Sequence, residues 1–197
     1  MNNLKERLKH MPTLQFKGKN IIWNHHLSVP YRTLEEDNDL HYQSDKSNGN
    51  VIVEGDNLVA LKALLPRYAG RIKCIYIDTP YITGKEEWVY SDKVISPLLQ
   101  EWLGKTIGQD ELNKHEKWCC MMTPRLKLLR DLLSENGVII ISCDDNEHHH
   151  LKSLMDEVFG NNNYIGNNVW ENAVDNNPTN IAIEHEYLVF YALIKKR

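Results

Sequence analysis

Four consecutive residues, Asp78-Thr79-Pro80-Tyr81, place a carboxylate, a proline-stiffened turn and an aromatic ring in one short stretch of a 197-residue chain. Proline fixes its own φ and biases the preceding residue toward extended geometry, so the backbone carbonyls beside it point in set directions. A carboxylate and a carbonyl held side by side accept both hydrogens of one exocyclic amino group. Drawing on both N–H bonds favours a pyramidal nitrogen. Its lone pair, otherwise delocalised into a purine or pyrimidine ring, could then attack a methyl sulfonium. Tyr81 offers a ring for an extruded base to stack on, a contact worth about 1–3 kcal/mol. Extrusion is required because the amino group of a paired base is out of reach inside a duplex. Four residues alone are equally an ordinary strand-end turn, so the elements around them have to decide.

Those elements alternate. Residues 1–50 are polar and irregular, with a short helical candidate near Leu4–Met11 and a loop at Ser44–Asn50. Val51-Ile52-Val53 reads as a short β-branched strand, followed by Gly55-Asp56. A helix from about Leu58 to Tyr68 carries Leu58, Leu61, Leu64 and Leu65 on one face. Ile72–Ile77 is nearly continuously apolar, as a parallel strand covered on both faces would be, and it stops at Asp78. Residues 82–117 read as a long polar loop with Trp88, Tyr90 and Trp102, of the length that often serves function. Pro124 is expected to open a helix whose leucines include Leu126 and Leu129. Val138–Ser142 is a second buried strand, ending at Asp144-Asp145. Asp144 and Glu147 have capping-box spacing for a further helix with Leu151, Leu154, Met155 and Val158 on one side. Tyr164–Trp170 and Tyr187–Leu193 are later strand candidates, with a turn at Asn176-Asn177-Pro178 between them.

The order β-α-β-loop-α-β-α-β-β implies an α/β fold, a parallel sheet with helices on both faces and an antiparallel pair at one edge. Ligands of such sheets sit beyond the carboxyl ends of the strands. Gly55-Asp56, Asp78–Tyr81 and Asp144-Asp145 all fall there, which defines a crevice. Composition adds limits. Apolar residues make up 42% and charged residues 25%, as in an ordered globular domain. The net charge of −4 is no electrostatic footprint for DNA, although a local basic groove can coexist with it. No run is long and apolar enough for a bilayer and the start has no secretory signal, so the chain is expected to be cytoplasmic. Cys74 and Cys143 lie in apolar runs and read as buried free thiols, with no disulfides. No metal site is expected, His148-His149-His150 reading as a solvated first turn of helix.

The ordered set of segments Val53–Leu58, Ile75–Gly84, Trp118–Arg130, Ile139–Glu147 and His185–Leu188 closely resembles the modification subunits of type III restriction systems. These are members of the β-group of adenine-N6/cytosine-N4 DNA methyltransferases. The resemblance spans roughly residues 15–193. It implies a Rossmann-like S-adenosylmethionine-dependent methyltransferase fold, with residues 1–50 as an amino-terminal extension and 51–197 as a partial catalytic domain. By resemblance, Asp78 and the Thr79 carbonyl would hold the target amino group, Pro80 would stiffen the turn and Tyr81 would stack on the flipped base. Asp56 would face the adenine of S-adenosylmethionine. Asp144 and Asp145 line the crevice or, the more ordinary reading, cap a helix.

Two departures stand out. The family usually has Asp-Pro-Pro-Tyr, so Thr79 keeps the carbonyl while the turn loses rigidity. The family's Phe-x-Gly-x-Gly cofactor segment, which follows the tetrapeptide, is not found. Its strands would lie between the Val51 and Ile72 strands, so either those two pair directly or an open edge persists. The chain is therefore expected to be an incomplete fold, poorly stable, and weak or inactive alone. Implied partners are double-stranded DNA, a restriction subunit, and a second copy or a complementing carboxy-terminal chain, with no membrane. Side by side stand a non-catalytic DNA- or partner-binding remnant and a cytosine-N4 enzyme. The aspartate that opens the tetrapeptide favours adenine.

Overall fold

The computed structural model describes residues 12–40, 49–80, 114–171 and 184–194. Two single-turn helices, Lys19–Ile22 and His25–Ser28, precede the alternating region. Helix α1 (Asn57–Tyr68) leads to strand β1 (Ile72–Asp78), then come α2 (Lys114–Leu132), β2 (Leu133–Cys143), α3 (Asp145–Phe159), β3 (Tyr164–Glu171) and β4 (His185–Ala192). The sheet order is β1-β2-β4-β3. β1 and β2 are parallel, and β4 is antiparallel to both β2 and β3. This is the parallel core with an antiparallel edge pair that the element order implied. Among the described residues β1 has no strand on its other side, and the Val51 segment does not pair with it.

The core follows from side-chain alternation. Ile139, Ile141 and Cys143 of β2, with Val189 and Tyr191 of β4, pack against Trp118, Met122 and Leu126 of α2 and Leu151, Leu154 and Met155 of α3. Each such fully buried side chain contributes roughly 1.5–3 kcal/mol. The Tyr191 hydroxyl stays satisfied inside this core by donating to Asp156 on α3 at 2.6 Å. Burial and that carboxylate both push the phenol upward from its ordinary value. Residues from the amino-terminal part join in: Ile22 is fully buried, Leu14, Phe16 and Trp23 pack on the core, and Lys19 pairs with Glu157 at 2.7 Å.

Several expectations change. Val51-Ile52-Val53 forms no strand. Val51 and Ile52 are exposed, and no ladder among the described residues includes them. Helix α2 begins ten residues before Pro124, which sits inside it. Proline has no N–H for the carbonyl four residues back. Neighbouring carbonyls gain side-chain donors instead: Thr123 Oγ1 to Cys119 at 2.7 Å and Arg125 to Met121 at 2.7 Å. Residues 114–117, read as loop, are helical. The helices pack on the face carrying Ile139, Ile141, Val189 and Tyr191. On the opposite face Cys74 and Tyr76 are exposed, so the double cover expected for β1 is not seen among the described residues. All four cysteines are free, and Cys119, Cys120 and Cys143 are buried. The candidate helix at Leu4–Met11, the region 82–113 and the turn at Asn176–Pro178 lie outside the described residues.

β2 starts directly where α2 stops, and the join is tight. A Cβ at Gly137 would lie 2.8 Å from the Ile72 carbonyl oxygen and 2.9 Å from that of Ser134. The ladder shifts at this point: Ile72 pairs with Leu133, but Cys74 pairs with Val138. Gly70 and Arg71 donate to the Asp131 and Leu132 carbonyls, which ties the start of β1 to the end of α2.

Candidate active site at the strand ends

The register of the parallel pair sets Asp78 against Ser142. The Ser142 hydroxyl donates to Asp78 Oδ1 at 2.7 Å, and the Thr79 hydroxyl donates to the Ser142 carbonyl at 2.8 Å. These two bonds cross between the strands. Thr79 is 4% exposed, while the Asp78 side of the turn faces solvent. The turn is thus anchored through its second residue and presents a carboxylate through its first. A hydrogen bond to a charged group contributes roughly 1.5–3 kcal/mol net. A threonine in the second position, expected to loosen the turn, supplies an anchor that a proline side chain could not. Pro80 follows, half-buried. Tyr81 lies outside the described residues.

The same end of the sheet receives the start of α3 and of β4. Asp144 is the N-cap residue of α3, yet its side chain makes no capping bond. Asn146 donates to Asp144 Oδ2 at 2.6 Å instead. Glu147 does not complete a capping box either. Its side chain is 1% exposed and turns inward to His115, with Nδ1 to Oε1 at 2.5 Å, and to His150, with Nδ1 to Oε2 at 3.1 Å. Burial pushes the Glu147 carboxyl up, with His115 opposing, and pulls the His150 imidazole down. Asp145 accepts from the Tyr187 hydroxyl at 3.2 Å. The Tyr187 ring stacks on His148, with centroids 4.0 Å apart and 16° between planes. Since Cys143 pairs with Tyr187, this group borders Ser142 and therefore the tetrapeptide.

Asp56 is the N-cap of α1, where Oδ1 accepts from the Val59 N–H at 3.0 Å. Its neighbour Asn57 accepts from Arg125 Nε of α2 at 2.6 Å. Burial lowers Arg125 to about 10, and the nearby Asp56 carboxylate works against that. Of the residues singled out from the sequence, Asp78, Thr79 and Pro80 are thus held at one strand end. Asp56 is engaged with α1, beside a buried guanidinium.

Sequence reasoning missed two contributors. Ser142 reads from the sequence as a strand residue only, and the ladder register reveals that it serves both Asp78 and Thr79. The grouping of His115, Glu147 and His150 is not visible from the sequence pattern read above, and the histidine run is only partly solvated: His149 is exposed, but His148 and His150 are packed. The Glu-x-x-His spacing of Glu147 and His150 was the available signal, since residues three apart share a helix face.

The profile of the DNA methylase family, N6/N4 type, matches residues 72–197, from the first residue of β1 onward. The chain belongs to this family. The chain is 40% identical to the Mod subunit of the type III restriction-modification enzyme EcoP15I of Escherichia coli, with 86% of the chain and 28% of that protein covered. Against the EcoPI Mod subunit of Escherichia phage P1 the identity is 37%, covering 84% of the chain and 28% of the relative. The type II methyltransferase M.KpnI of Klebsiella pneumoniae is 37% identical, over 74% of the chain and 33% of its own length. The chain therefore spans less than a third of the length of the two Mod subunits. Among the described residues no helix is long and apolar enough to cross a membrane.

Proposed function

We propose that this chain is part of a site-specific DNA methyltransferase of a restriction-modification system, one that transfers a methyl group from S-adenosylmethionine to the N6 atom of a flipped-out adenine. The observation that carries the reading is the anchored Asp78-Thr79-Pro80 turn at a strand end, within a chain of the DNA methylase family. Asp78 and the Thr79 carbonyl accept the two hydrogens of the adenine amino group, and Ser142 keeps the carboxylate oriented. Tyr81 stacks on the extruded ring. Double-stranded DNA is the substrate and a restriction subunit the partner.

The cofactor fits these residues only in part. Asp56 stands at the start of α1 with its carboxylate directed into the first helical turn. The 197 residues hold no Phe-x-Gly-x-Gly turn to receive the methionine end. When bound, the cofactor supplies an electrophilic methyl group, and the residues of this chain act on the acceptor.

The test uses labelled S-adenosylmethionine and duplex DNA. The isolated chain transfers no label, whereas the chain joined to the carboxy-terminal portion of a matching Mod subunit yields N6-methyladenine on hydrolysis of the DNA. Asp78→Ala abolishes that product. Label in cytosine, or undiminished transfer by the Asp78→Ala protein, would sink the assignment. A joined chain that binds the cofactor calorimetrically yet leaves DNA unmethylated would indicate a binding remnant instead.

A further inference from the structure

We propose that His115, Glu147 and His150 form a binding site for a divalent transition-metal ion of the zinc class. The proposal does not depend on the methyltransferase reading. One ring nitrogen of each histidine and a Glu147 carboxylate oxygen all lie within 4.8 Å of one another. Two imidazoles and one carboxylate make a donor set that suits zinc and its neighbours rather than magnesium or calcium, which prefer oxygen. At Zn–N and Zn–O distances of about 2.0–2.2 Å, donor atoms around one tetrahedral ion stand about 3.3–3.6 Å apart. The present contacts, His115 to Oε1 at 2.5 Å and His150 to Oε2 at 3.1 Å, are both shorter than that spacing, so the side chains would rotate slightly apart to seat an ion between them.

The framework is already built. Glu147 and His150 lie one turn apart on α3, while His115 comes from the first turns of α2, so an ion would tie two helices together. Trp118, one turn further along α2, is fully buried in the shared core and fixes the relative placement of the helices. Glu147 brings a carboxylate at 1% exposure, and the charge of a dication offsets the cost of keeping it ionised there. The His115 side chain is 45% exposed, which leaves a route in and a coordination position for water. The competing account is that two imidazole N–H groups satisfy Glu147 without any ion. Coordination requires both Nδ1 atoms to be unprotonated, so the two accounts differ in measurable ways.

The experiment uses the whole 197-residue chain, untagged and stripped with chelator. It is titrated with Zn²⁺ by calorimetry and with Co²⁺ by visible absorption. The expected result is one ion per chain at micromolar affinity or better, a rise in melting temperature reversed by chelator, and d–d bands for Co²⁺. His115→Asn, His150→Gln and Glu147→Gln are each expected to weaken binding by about tenfold or more. His149→Gln, on the exposed neighbouring ring, leaves it unchanged. If Glu147→Gln fails to fold, His150→Gln carries the test, because that ring is partly exposed. Absence of one-to-one binding overturns the proposal. So does binding that falls with His149→Gln but survives His150→Gln, which would mark adventitious capture by the histidine run.

Discussion

β1 and β2 run parallel and side by side with comparable apolar sequences, Ile-Lys-Cys-Ile-Tyr-Ile and Val-Ile-Ile-Ile-Ser, yet they occupy different surroundings. β2 pairs on both sides, and Ile139, Ile141 and Cys143 are fully buried. β1 pairs only with β2 among the described residues. Its inward Ile75 and Ile77 are partly covered, and its outward Cys74 and Tyr76 are exposed. The apolar content of β1 is thus greater than its surroundings here require. An edge strand of that character presents unpaired backbone groups and apolar surface together, which favours self-association. Apolar content records what a strand is suited to touch, and the structure shows how much of that contact is present.

Thiol chemistry gives the widest separation between the two strands. Cys74 is expected to react with a maleimide in the folded chain, and Cys143 only on unfolding, a rate difference on the order of a thousandfold or more, since access and thiolate formation both govern reactivity. Raising the pH does not close the gap. Burial pushes the Cys143 thiol up to about 12, so it stays protonated through pH 10. Peptide mapping after timed labelling reads the difference, and early modification of Cys143 would break the comparison. The same labelling on a protein that carries more of the family's length sharpens it, with Cys74 expected to become protected.

Stability gives the next effect. Ile141→Ala on β2 should cost about 2–5 kcal/mol in urea unfolding, the range for removing a fully buried isoleucine. Tyr76→Ser on β1 should change stability by about 0.5 kcal/mol or less, as exposed substitutions do, and should reduce self-association in sedimentation. Comparable losses in the two variants would mean that β1 is covered after all.

The smallest effect lies where the strands meet. Thr79→Val and Ser142→Ala each remove one of the crossed bonds, with expected costs of about 1 kcal/mol for the neutral bond and about 1.5–3 kcal/mol for the one to Asp78. Thr79→Val leaves Ser142 bound to Asp78, so methylation by a joined chain should fall less than with Ser142→Ala. Equal losses would show that the two bonds act as one unit.

Much of this was legible in the chain. The strands at Ile72, Tyr164 and Tyr187 are found within two residues, because continuous apolar runs bounded by glycine and acids have few other solutions, while the one at Val138 begins five residues early, at Leu133. Asp78 reads as a strand end for the same reason, and β1 ends there. The misreadings share a cause. Val51-Ile52-Val53 has the residue types of a strand, but a strand also needs a neighbour to bond to. Pro124 looked like a helix start because the residues before it, Lys114 to Lys117, are polar, and tertiary packing of Trp118 overrides that signal. Glu147 had capping spacing, but a helix N-terminus cannot hold a side chain that two histidines draw inward. The Ser142 bonds depend on the alignment between strands 64 positions apart, which no local pattern contains.

That alignment rests on a residue with no side chain. Around Gly137 there is no space for a methyl group, so any substitution would have to push the Ile72 carbonyl away and reopen the question of which β1 residue faces which on β2. Side chains of a strand alternate between faces, so a slip by one position would turn Asp78 away from Ser142 and exchange the covered and bare sides of β1. Gly137 works as an index mark for the pair, and the aim of a carboxylate five residues further along the ladder inherits its accuracy.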